Sequence, residues 1–184
     1  PEDGYPCLDQ PAGTTKCYTR TGDPFTQKNA RGECGKVGGI LAEARSAQDL
    51  ADIQKFMADS GGGIVWTGGQ VAYQYPDASC GEATGAALGE CARNAALTYK
   101  WLSDDRMFAS SAAAVGTPTF RSDVAFLSNV SSITKQTPGG ALDENVGISY
   151  SQTSQRLRAE TNTILREGLC QFEPATSERY FSKG

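Results

Sequence analysis

A chain of 184 residues with 39% hydrophobic content is long enough to bury a real core, and one domain is the natural prior. The formal net charge of −4 and the lack of any Lys/Arg cluster argue against nucleic acid, which needs a concentrated basic face. No histidine is present, which removes Ser-His-Asp and Cys-His catalysis, His-ligated zinc and His-based pH switching together.

The 21 glycines predict a loop-rich fold rather than a helical bundle. No apolar run approaches the ~20 residues that a membrane span needs. Six cysteines stand at 7, 17, 34, 80, 91 and 170, with no Cys-x-x-Cys among them. Their even number and wide spacing read as three disulfides formed in an oxidising compartment, not as a zinc or thioredoxin-type site. The chain is therefore expected to be a mature secreted form whose leader has been removed.

Residues 1–22 read as a small hairpin in which Cys7 and Cys17 bracket the turn signal Pro11-Ala12-Gly13. A bridge closing so short a loop is worth roughly 3 kcal/mol in the chain-entropy model. After the turn at Asp23-Pro24, Thr26 sits where an N-cap belongs, with Phe25 before it as a hydrophobic staple. Ala30, Cys34 and Val37 then share one helical face. Gly32 and Gly35 weaken this helix by about 1 kcal/mol each relative to alanine, so tertiary packing must hold it. Gly38-Gly39 stop it.

Ile40-Leu41-Ala42 reads as a brief strand. Ser46 followed by Asp49 is a capping signature, and Leu50, Ile53 and Met57, widened by Phe56, form the inward stripe of a second helix ending at Asp59-Ser60-Gly61. Gly61-Gly62-Gly63 is a turn and not a phosphate loop, because no Gly-Lys-Ser/Thr follows. The apolar run Ile64-Val65-Trp66-Thr67 suits a central strand.

Residues 71–98 read as a long loop that Cys80 and Cys91 close on itself. Within it Tyr73 and Tyr75 alternate, either presenting two rings to a ligand or covering the edge of the core. Tyr99-Lys100-Trp101-Leu102 is a further strand, with a turn at Ser103-Asp104-Asp105. The segment 108–122 is rich in Ala, Ser and Thr, and Phe120 to Phe126 alternates loosely. Asn129-Val130-Ser131 matches the N-glycosylation acceptor pattern, which makes Asn129 a glycosylation candidate. Val146–Tyr150 and Arg156–Thr161 read as paired strands about the turn Ser151–Gln155. The second of them alternates, with Leu157, Ala159 and Thr161 on one side and Arg156, Arg158 and Glu160 on the other. A helix is the competing reading there, since Arg, Leu, Ala and Glu are good helix formers. Gly168–Phe172 is a last strand, and residues 175–184 form a polar tail.

Asp143-Glu144-Asn145 is the densest oxygen cluster in the second half, either a ligand-binding group or a solvated turn. Asp104-Asp105 suits turn capping better than catalysis, because adjacent strand residues point to opposite faces. No nucleophile has an evident activating base, and no catalytic signature is present. The expectation is a binding protein and not an enzyme.

Several of these features in order resemble the C-type lectin-like domain. They are a cysteine-bearing first helix with Ala30 and Cys34, then Gly39 and Leu41-Ala42, and a Ser46-capped helix with Ile53. Trp66-Thr67-Gly68-Gly69 follows, then Tyr99-Lys100-Trp101-Leu102-Ser103-Asp104 and Leu169-Cys170-Gln171-Phe172-Glu173. The hairpin at Cys7 and Cys17 is similar to that of the family's longer form. The resemblance implies an α+β fold with two helices flanking small antiparallel sheets, loop-rich and held by three disulfides. The domain then spans residues 23–174, with the 1–22 hairpin as its N-terminal part. The resemblance further implies a Cys34–Cys170 bridge, leaving Cys7–Cys17 and Cys80–Cys91.

Calcium-dependent members carry a Glu-Pro-Asn or Gln-Pro-Asp triplet and a Trp-Asn-Asp triplet, whose oxygens ligate calcium. The corresponding stretches here are Thr137-Pro138-Gly139, without a carboxylate or amide beside the proline, and Leu157-Arg158-Ala159, without an oxygen ligand and with an added positive charge. No metal ligands are therefore assigned, and the remaining cofactor expectation is calcium at a non-standard site. The expected function is a secreted, extracellular, calcium-independent recognition module. It would bind a glycan, a protein or a copy of itself through residues 71–98 and 107–145, with Tyr73, Tyr75, Asp143, Glu144 and Asn145 as candidate contacts. Two alternatives stand beside it: a structural matrix protein that forms homo-oligomers, and a carrier of a small apolar ligand or pigment.

Overall fold

The computed structural model describes residues 16–74, 78–111, 119–127 and 146–172. They divide into two compact units, and the long strand at Ile64–Gln74 passes from the first into the second at Gly68-Gly69. The first unit takes in the described residues up to Gly68, Tyr150–Gln155 and the described residues from Thr163 onward.

In chain order the first unit begins with β1 (Cys17–Arg20), α1 (Gln27–Lys36), β2 (Ile40–Leu41) and α2 (Ala47–Asp59), followed by the start of β3 (Ile64–Gln74). As expected, Thr26 caps α1, its side chain accepting a hydrogen bond from the Asn29 amide. Ser46 caps α2 in the same way through the Asp49 amide at 3.0 Å. The Asp49 carboxylate reaches back past the cap to the Arg45 amide at 3.1 Å and also accepts from the Lys16 ammonium at 2.9 Å. Gly38 ends α1 with φ +82, a conformation that a side chain would strain.

The sheet of this unit forms around the last strand, Glu167–Phe172. It pairs antiparallel with β1 and β2, and parallel with β3 through Val65 and Trp66. Cys34 of α1 is bonded to Cys170 of that last strand, so the helix is fastened across the sheet as the resemblance implied. Ala30, Cys34, Leu41, Trp66 and Phe172 form one buried cluster beside that bridge, with Phe25 and Val37 packed against it. The Trp66 indole N–H donates to the Phe25 and Ile164 carbonyls, both at 3.1 Å, which leaves no unpaired polar atom on this large buried ring. Arg20 of β1 gathers three elements: its guanidinium donates twice to Glu167 and also to the carbonyls of Ser60 and Gly62, where α2 ends. Cys17 is disulfide-bonded as well; Cys7 lies outside the described residues.

The second unit holds Gly69–Ser149 and Arg156–Asn162. After β3 come α3 (Gly85–Arg93), β4 (Ala96–Trp101), β5 (Arg106–Ser111), β6 (Thr119–Phe120), β7 (Val146–Ser151) and β8 (Arg156–Thr161); β9 is the Glu167–Phe172 strand already described. β3, β4, β5 and β6 pair successively in antiparallel fashion, with a bulge on β4 between Tyr99 and Lys100. β7 pairs with β3 and β8. The buried side of β4 carries Leu97, Tyr99 and Trp101, and the Trp101 ring stacks on Phe108 with centroids 4.3 Å apart.

Two parts of this unit differ from the sequence reading. The 71–98 stretch is not loop throughout. Its first residues continue β3, its last begin β4, and α3 lies between Cys80 and the end of the loop, with Cys80 bonded to Cys91. Ala86, Ala87 and Cys91 make helical turns there that the two glycines at 85 and 89 had obscured. The loose alternation from Phe120 to Phe126 is a short bridge to β5 followed by 3-10 turns over Ser122–Leu127, which bury Val124 and Leu127. Residues 156–161 form the strand that their alternation predicts, and pairing with β7 outweighs their competing helical propensity.

Candidate functional site

β7 and β8 form a hairpin whose turn ends at Gln155 with φ +54. β7 is buried along its whole length. β8 pairs with β7 alone among the described strands, so its other side is an edge. Strand alternation sets Arg156, Arg158 and Glu160 on one face and Leu157 on the other, and Leu157 is buried. On the polar face the fully buried Ser149 donates its hydroxyl to the Glu160 carboxylate at 2.6 Å. That contact engages the one acid of the β8 face.

The two arginines of this face are left over. Arg156 is exposed and Arg158 half-buried, and among the described residues neither makes an ion pair or a hydrogen bond. The other described cations of the same unit are matched. Lys100 pairs with Asp105 at 3.2 Å, while Arg106 and Arg121 share Asp123 at 3.8 and 2.6 Å. Arg121 also donates to the Met107 carbonyl at 3.0 Å.

One polar group inside the unit is also unmatched. The Tyr99 hydroxyl is fully buried and has no hydrogen-bond partner among the described residues, and burial pushes the phenol up to about 12.

The candidates from the sequence fall as follows. Tyr73 lies on β3 opposite Leu97 in the register with β4. Tyr75, Asp143, Glu144, Asn145 and the glycosylation candidate Asn129 lie outside the described residues, as does the Thr137-Pro138-Gly139 stretch. Asp104 and Asp105 serve the β4–β5 turn: the Asp104 carboxylate accepts from the Arg106 amide at 3.1 Å, and Asp105 takes φ +58. Trp66 and Trp101 are core residues. The Arg156/Arg158 pair was visible in the sequence only as the outward side of a strand; that it has no counter-charge is a matter of tertiary placement.

No family model matches the sequence, and no curated protein matches it. Solved structures do. The mouse scavenger receptor C-type lectin carbohydrate-recognition domain is similar over 87% of this chain and 92% of its own, with 15% identity and a TM-score of 0.50. TC14, a C-type lectin from the tunicate Polyandrocarpa misakiensis, is 16% identical over 86% of this chain and 98% of its own, at 0.49. Human lithostathine is 14% identical over 89% and 87%, at 0.48. Identities this low speak to the fold and not to the ligand. The fold of this chain is the C-type lectin-like fold, in a divergent sequence.

The fold family implies a calcium site, so the donor set matters. Where the resemblance sets the Trp-Asn-Asp triplet, the chain offers Leu157, Arg158 and Ala159: a buried aliphatic group, a cation and a methyl. Calcium requires six to eight oxygens, and this stretch supplies no side-chain oxygen and repels the ion. The residues present do not fit the standard site.

Proposed function

We propose that the protein is a secreted recognition module that binds a glycan through its second unit without the standard calcium site. The observation that carries this reading is the Leu157-Arg158-Ala159 stretch on β8, which offers a buried side chain and a cation without a partner among the described residues where the resemblance implies oxygen ligands. The Cys34–Cys170 and Cys80–Cys91 bridges support an oxidising, extracellular setting. Binding, not catalysis, fits a chain with no histidine and with its described carboxylates committed mainly to caps and ion pairs. A glycan array read with and without EDTA tests the proposal. Bound glycans should be the same in both. Loss of every signal in EDTA refutes the calcium-free part, and an array without signal refutes glycan recognition and leaves protein or self-association as the module's task.

A further inference from the structure

We propose that Arg158, with Arg156 beside it, forms a subsite for the acidic group of a charged saccharide, a carboxylate or a sulfate. The proposal rests on the glycan reading above and names the class of sugar.

Three observations meet at this face. First, Arg158 is half-buried without an acid among the described residues, while Arg106 and Arg121 in the same unit both reach Asp123. A guanidinium withdrawn part-way from water and left without an acceptor gains from any oxyanion brought to it. Second, Ser149 holds the Glu160 carboxylate at 2.6 Å, so the nearest acid on the same face is turned to a different partner. Third, Arg156 and Arg158 stand about 7 Å apart on one side of a strand, and β8 is an edge that no described strand covers. Buried Leu157 between them anchors the backbone from which both forks project.

Charge complementarity selects the partner. The planar fork of arginine recognises carboxylate and sulfate through paired hydrogen bonds. The chain as a whole carries −4, so a long polyanion is repelled by the rest of the surface, whereas one compact acidic group sees only the local pair.

The test compares three disaccharides by calorimetry at low and high salt: one ending in a uronate, one carrying a sulfate, and the neutral parent. At least one acidic form should bind about tenfold tighter than the parent, and the gap should shrink with salt. R158A should erase that gap. R158K, which keeps the charge and loses the fork, should restore part of it. Lys36→Ala, which removes an exposed cation of the first unit, should leave the gap intact. If R158A fails to fold, R156A serves and should narrow the gap severalfold. Neutral and acidic sugars binding alike, or an unchanged gap in the folded arginine variants, overturns the subsite and leaves the glycan reading standing. Failure of all three sugars together with a silent array overturns both.

Discussion

A methyl group added to Gly69 would lie 2.7 Å from the Cβ of Ile148 and 3.3 Å from the Trp101 ring. Strands β3 and β7 approach this closely only because position 69 has no side chain. Gly69→Ala should therefore destabilise the protein by roughly 1–3 kcal/mol, the usual cost of overpacking a filled core. Gly32→Ala provides the contrast, since nothing lies within 4 Å of the added methyl on α1. That change should raise stability by up to about 1 kcal/mol through helix propensity. Urea midpoints of the two variants check both signs.

Replacing Cys34 and Cys170 together by serine removes a bridge spanning 136 residues. The chain-entropy model assigns about 5 kcal/mol to so long a closure. The double variant should melt far below the parent, whereas loss of Cys80–Cys91, separated by 11 residues, should cost about 3 kcal/mol or less. Thermal melts of the two variants under non-reducing conditions rank them.

Tyr99→Phe removes a buried hydroxyl that has no partner among the described residues. An unsatisfied buried polar group costs about 1–3 kcal/mol, so this substitution should stabilise the fold or leave it unchanged, where most tyrosine truncations weaken a core. A drop of more than about 1 kcal/mol would show that the phenol has an acceptor in solution.

Burial pushes both Tyr99 and Tyr150 up to about 12 from the ordinary 10. The folded state holds these protons while the unfolded chain releases them near pH 10. Their contribution to stability is complete below pH 10 and is lost as pH rises from 10 through 12. Absorbance titration should show these two phenols ionising together with unfolding, and Tyr99→Phe should make the alkaline loss less steep.

Calcium should leave the melting temperature nearly unchanged, because a ligand stabilises only in proportion to its binding of the folded state. A rise of many degrees on adding calcium would reveal oxygen ligands outside β8.

Local signals are legible where neighbours in sequence settle the matter. Thr26 and Ser46 cap their helices because a hydroxyl reaches an amide three residues on, whatever else the chain does. The stripe through Ile53 and Met57 points inward for the same local reason. α3 is not legible in the sequence because two glycines in nine residues depress its propensity, and the Cys80–Cys91 bridge holds what propensity does not. Residues 156–161 have helical propensity and form a strand because β7 offers a partner.

From sequence alone came the cysteine count, the two capped helices, the order of elements that marks the fold, and a Leu157-Arg158-Ala159 stretch without a side-chain oxygen. These follow from residue type and short-range spacing. Tertiary structure decided which cations lack an acid and that the Tyr99 hydroxyl lacks a partner among the described residues, and that Gly69 and Ile148 touch. Charge balance, burial and close approach arise between residues far apart in the chain, and periodicity along the chain does not encode them.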